Sequence, residues 1–189
     1  MDYTEKNKKA ISWLKENLDE ERLLHSLGCA QCCAELAHKF KLDEEKAYIA
    51  GLLHDCAKCF SKEKTMEIVQ KLNLDETELA NFKVLHAPVG AYIAQYEFGI
   101  KDKEILSSIR SHTLGKPNMT DFEKIIFLAD KIEPNTRDSE FRNEMLMFLE
   151  EENGMNKALL TCYKETIRSL VKKGLKICAV TVDIYNSML

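Results

Sequence analysis

The sequence holds no apolar run long enough to cross a bilayer. Among the longest is Ile125-Ile126-Phe127-Leu128-Ala129, whereas a spanning helix needs about 20 such residues. A secretion leader is lacking too: MDYTEKNKKA carries charge but no apolar stretch leading to a small-residue cleavage site. The expected address is the cytoplasm. Positive charge is not in excess, and the formal net charge of −4 disfavours a nucleic-acid binder, which normally shows a basic face. That balance still allows a phosphate-bearing small molecule, held by a few cations and a metal. Internal repeats, low-complexity tracts and Pro/Gly-rich linkers are absent, so the 189 residues read as one domain with a substantial core. The cysteines do not make an even set. Seven of them in a reducing compartment argue against a disulfide framework.

What is present has a helical period. Ile11, Leu14 and Leu18 line one face of a first segment, and Leu24, Leu27 and Leu36 mark a buried helix over 22–40. Asp43 caps a third helix running to about Cys59, and Asp75 to Glu78 forms a capping box for a short one. Pro88 opens a helix that stops at Gly99, and Asp102 caps another that reaches His112. Thr120-Asp121-Phe122-Glu123 is a capping box for a helix that must end before Pro134. Amphipathic segments follow near 139–151 and 156–173, and only Lys176 to Val182 has strand-like character. The fold class is all-α.

Two chemistries compete in GLLHDCAKCF at 51–60. Cys56 and Cys59, with Cys29 and Cys32 upstream, give two C-x-x-C pairs, which normally signal zinc. Zinc knuckles put their cysteines on tight turns so that four sulfurs converge, whereas both pairs here lie within or at the end of helical segments. Small buried packing residues explain them as well. The histidines ask for more. His25, His54, His86 and His112 fall where a helical core should be apolar, as do Asp55 and Asp130, whereas His38 reads as a surface residue. A buried carboxylate needs a partner or a metal. One polynuclear site explains all six residues together, since imidazole suits iron, zinc and manganese and a carboxylate can bridge two ions. Neighbours on a helix point about 100° apart, so His54 and Asp55 can reach one ion from the side and a second around it.

An upstream His, a His-Asp doublet and a distant Asp resemble the HD-domain metal-dependent phosphohydrolases. The segments RLLHSLG at 22–28, HDCAK at 54–58, HAPVGA at 86–91, SHTLGKPNMT at 111–120 and ADKIEPNTR at 129–137 narrow the resemblance to the bacterial YqeK family. The resemblance implies a helical HD bundle, with a metal-binding core over about 20–135 completed by C-terminal helices over 139–189. It implies a symmetrical dinucleoside-tetraphosphatase that cuts diadenosine tetraphosphate into two ADP, usually with iron, in one or two ions, manganese or another divalent ion being an alternative. It also implies His25, His54, Asp55 and Asp130 as principal ligands, with His86 and His112 holding a second metal or facing the phosphates. Asp55, His54 and Lys58 are the expected catalytic group, Lys58 lying one turn after His54. Arg22, Lys58 and Arg137 are expected to grip phosphate, and Thr113 and Gly115 to line the nucleotide pocket. The rivals are an HD nucleotidase or phosphodiesterase acting on a mononucleotide or alarmone, and a zinc-stabilised binding module. No membrane or nucleic-acid partner is expected, and the oligomeric state, a homodimer included, stays open.

Overall fold

Side-chain caps start most of the helices that carry the site. Asp19 accepts from the Arg22 amide at 2.8 Å, Asp43 from Lys46, and Asp102 from Glu104 and Ile105. Thr120 and Glu123 complete a reciprocal capping box. Each such bond satisfies an amide that the helix cannot pair internally, at about 1 kcal/mol.

The computed structural model describes residues 3–79 and 81–189. In chain order the helices are α1 (Tyr3–Lys6), α2 (Lys8–Asn17), α3 (Glu20–Lys39), α4 (Glu44–Leu53), α5 (Lys62–Val69) and α6 (Glu76–Leu79). A 3-10 turn (Phe82–Val84) leads to α7 (His86–Tyr96), α8 (Lys103–Ser111), α9 (Asp121–Ile132), α10 (Ser139–Phe148), α11 (Gly154–Lys172) and α12 (Ala179–Ser187). No strand occurs among the described residues, and no helix there is long and apolar enough to cross a membrane. The all-α expectation holds.

The centre of the fold is α3 packed along α4, with α9 against both and α8 bridging α4, α7 and α9. α9 is buried nearly all round through Phe122, Ile125, Ile126, Phe127, Leu128, Ala129 and Ile132. The larger of these side chains contribute about 1.5–3 kcal/mol each when buried, enough to fix Asp130, which lies among them. α10 and α11 pack on α9 from outside.

Three expectations need correction. The buried stripe of α3 runs through His25, Cys29, Cys32, Cys33 and Leu36, whereas Leu24 is exposed and Leu27 only partly buried. The third helix ends at Leu53, not near Cys59. Tight turns follow, closed by the amides of Cys56, Lys58 and Phe60 on the carbonyls of Leu53, Asp55 and Ala57. The strand-like stretch becomes the start of α12. Its β-branched residues suggested a strand, but Thr181 and Ile184 bury one helical face three residues apart.

Candidate metal centre

Five elements deliver six polar side chains to one buried point. His25 comes from the second turn of α3, His54 from the C-cap of α4, and Asp55 from the turn that follows. His86 is the first residue of α7, His112 caps the end of α8, and Asp130 lies in the last turn of α9. All six are buried. Helix ends suit this task, because a ring there can bond the spare carbonyl three residues earlier.

That carbonyl sets the tautomer. The Nδ1 atoms of His54, His86 and His112 lie 2.6, 2.7 and 2.8 Å from the carbonyl oxygens of Gly51, Lys83 and Ile109. A carbonyl only accepts, so the proton sits on Nδ1 and the Nε2 lone pair points inward. Burial pushes His112 down to about 4, which keeps that ring neutral. The Nε2 atoms then crowd together: His25 to His54 at 3.2 Å and His86 to His112 at 3.2 Å. Asp55 Oδ1 is buried with no hydrogen-bond donor, although His86 Nε2 and His112 Nε2 lie 3.0 and 3.3 Å away. Lone pairs facing one another and an orphaned carboxylate oxygen are stable only around positive charge. The donor set fits a divalent ion.

Two ligand sets emerge, His25 with His54 and Asp130, and His54 with Asp55 and His112, each with its donor atoms within 4.8 Å of one another. His54 falls in both sets, but its Nε2 carries a single lone pair, whereas the two oxygens of Asp55 can reach two ions. Against burial, the Lys131 ammonium holds the Asp130 carboxyl well below the usual carboxylate range.

Cations ring the centre. Arg22 Nη1 lies 3.6 Å from Asp55 Oδ2, and Lys58 Nζ lies 3.6 Å from Asp55 Oδ1 and 3.0 Å from His86 Nε2. Arg137 Nη2 donates to Asp130 Oδ1 at 2.7 Å and meets His25 Nε2 at 3.2 Å, while its Nε donates to the Asp130 carbonyl at 2.6 Å. Lys131 binds the other oxygen of Asp130. All three expected cations are therefore at the centre, and Lys131 was missed. A lysine following an aspartate on an amphipathic helix looks like a surface charge. Glu133, fully buried against His25 Nδ1 at 3.0 Å, was missed as well.

Thr113 and Gly115, the two expected pocket residues, both line a cavity of about 260 Å³ with Pro88 and Lys116. Thr113 also lines a cavity of about 470 Å³ with Phe82, Lys83 and Leu114. Gly115 has a structural duty: its φ is +74°, and a Cβ there would lie 2.0 Å from the Tyr163 hydroxyl. His38 is on the surface, bonded to Glu44.

Among the described residues neither ligand set contains a cysteine. Cys29, Cys32, Cys33 and Cys56 are buried thiols, all held protonated by burial, and Cys59 is exposed. Their use is steric. A Cβ at Gly51 would meet Cys33 Sγ at 2.6 Å, so α3 and α4 approach through small side chains. A protein with Cys29, Cys32, Cys56 and Cys59 all changed to Ala should stay folded and keep its metal stoichiometry. The expected cost is about 1 kcal/mol of stability per buried thiol. Loss of a stoichiometric zinc with unfolding, read by metal analysis and thermal melts, would contradict this.

The comparisons agree with the geometry. The model of the HD domain matches residues 22–135. The chain is 39% identical over 178 residues to the "Bis(5'-nucleosyl)-tetraphosphatase, symmetrical" of Bacillus subtilis, covering 94% of each protein. With the protein of the same description from Halalkalibacterium halodurans it shares 36% identity over 182 residues, 96% of each. A crystal structure from Clostridium acetobutylicum, described as a "predicted HD superfamily hydrolase involved in NAD metabolism", superposes with a TM-score of 0.87 at 38% identity, over 96% of this chain and 95% of that one. The two histidine–aspartate sets lie within the matched span, and this chain belongs to the HD-domain hydrolases of the YqeK type.

Proposed function

We propose that the chain hydrolyses diadenosine tetraphosphate between its two central phosphates, giving two ADP, with iron as the metal and the cytoplasm as its place. The observation that carries this reading is the pairing of cations with carboxylates. Arg22 and Lys58 stand beside Asp55, and Lys131 and Arg137 beside Asp130. A phosphate chain lying across the centre meets two positive groups on each side, which suits a substrate with two like halves. The ligands we assign are His25, His54, Asp55 and Asp130, with His86 and His112 completing the second set. A bound divalent ion supplies an acidified water and neutralises charge on the phosphoryl oxygens.

The protein's own part is to hold the phosphates in register. Arg137 offers a planar fork for phosphate oxygens and Lys58 a mobile point charge. Burial holds the Lys58 ammonium below its ordinary value against the pull of Asp55. Each side also has room for a nucleoside. A cavity of about 350 Å³ beside Asp130 is lined by Lys131, Arg137, Phe141 and Leu170. One of about 270 Å³ beside Asp55 is lined by Lys58, Phe60, Phe82, Lys83 and His86. We assign one adenosine to each, with an aromatic ring available for base contact. Thr113 borders a third cavity that shares Phe82 and Lys83 with the second.

A substrate panel tests the reading. Diadenosine tetraphosphate should turn over in a divalent-ion-dependent way, with ADP as the nucleotide product and with far higher kcat/KM than AMP, NAD or a guanosine alarmone. Preference for any of those three would move the enzyme to the nucleotidase or phosphodiesterase class.

A further inference from the structure

Three of the four histidines at the centre take their orienting acceptor from a carbonyl three residues earlier at a helix terminus. His25 lies inside α3, and its Nδ1 bonds to Glu133 from another element. Glu133 is fully buried just after α9. Pro134 stops the helix, and the next two residues turn back on the carboxylate. Oε2 accepts from the Asn135 amide at 2.7 Å, while Oε1 accepts from the Thr136 amide at 2.9 Å and from the Thr136 hydroxyl. Asn135 Nδ2 also donates to the Leu24 carbonyl at 3.0 Å, which ties the turn to α3 beside His25.

Room for this carboxylate is built into α3. A Cβ at Gly28 would lie 2.1 Å from Glu133 Oε2 and 2.8 Å from Asn135 Nδ2. Glycine inside a helix costs about 1 kcal/mol relative to alanine, so its use one turn after His25 has a purpose.

We propose that Glu133 is a positioning residue: it accepts the His25 Nδ1–H, fixes that tautomer and aims Nε2 at the ion. A carboxylate accepts more strongly than a carbonyl and raises the basicity of the ring it holds. The proposal rests on the centre being a metal site. It also gives the EPNT turn a role, as the support of one ligand rather than a part of the phosphate grip.

Titration with Mn²⁺ alone, following the free-ion signal by electron paramagnetic resonance, tests it without reference to turnover. Glu133→Gln should bind Mn²⁺ roughly 10–100-fold more weakly than wild type, and the rise in Tm that Mn²⁺ gives should shrink accordingly. Gly28→Ala displaces the carboxylate without removing it, and its affinity should fall in the same direction. Should Glu133→Gln fail to fold, Gly28→Ala decides alone, since alanine favours the helix. A purely structural glutamate would lower the Tm of the metal-free protein and leave Mn²⁺ affinity unchanged, and that result overturns the proposal. Failure of the wild type to bind Mn²⁺ would overturn the metal-site reading and this proposal together.

Discussion

Asp55→Ala should give a folded protein that binds little divalent metal and hydrolyses diadenosine tetraphosphate at least about a thousandfold more slowly than wild type. The physical reason lies at Asp55 Oδ1. It is buried without a donor, between two imidazole nitrogens at 3.0 and 3.3 Å. With the carboxylate gone, the second ligand set loses its only anion, and the remaining Nε2 atoms must hold an ion by dipoles alone. Asp55→Asn is the sharper variant, because it keeps the shape and removes the charge. His38→Ala, on a surface histidine that is 79% exposed, should be indistinguishable from wild type. Metal analysis with steady-state kinetics checks all three. Normal turnover by metal-depleted Asp55→Ala would rule out the site.

Arg137→Ala should retain metal and lose about a hundredfold in kcat/KM. The guanidinium makes two directed bonds to Asp130, through Nη2 to Oδ1 and through Nε to the carbonyl. Those bonds hold the side chain at the rim of the centre and of the 350 Å³ cavity. Arg137→Lys should recover little, since an ammonium cannot reproduce the fork. Lys58→Ala should lose less, about tenfold, because a single flexible donor is easier for solvent and neighbours to replace. Metal content separates this from ligand loss, as Asp130 keeps Lys131 as a partner when Arg137 is removed. Unchanged kinetics in both variants would mean that metal and backbone hold the phosphates alone.

Much of this centre was readable in the chain because of what a core forbids. Histidine and aspartate inside apolar helical runs, such as His54 after Leu52-Leu53 and Asp130 after Phe127-Leu128-Ala129, carry a desolvation cost that only shared chemistry offsets. Spacing could not show that His54 sits at a helix end, with Nδ1 on the Gly51 carbonyl and Nε2 turned inward. That depends on where α4 stops, and Gly51 and Leu53 read equally well as helix interior. Glu133 escaped notice for a related reason. A glutamate before Pro-Asn-Thr looks like the solvated end of a helix, and only the glycine at position 28 on a distant helix hints that something large is pressed there. The C-x-x-C spacing alone suggests a metal, but the helical context favours packing, and Cys29, Cys32 and Cys56 are buried in the core. The start of α12 was misread because β-branched residues favour strands on average, and here tertiary burial of Thr181 and Ile184 prevails.

The most direct measurement is hydrolysis of diadenosine tetraphosphate in heavy-oxygen water, with the products resolved by mass spectrometry. The reaction consumes one water and breaks one phosphoric anhydride. With one nucleoside diphosphate half on each side of the centre, proximity selects the central bridge. We expect ADP as the only nucleotide product, with one labelled oxygen in the terminal phosphate of one ADP per turnover. AMP and ATP in equal amounts would contradict symmetric cleavage.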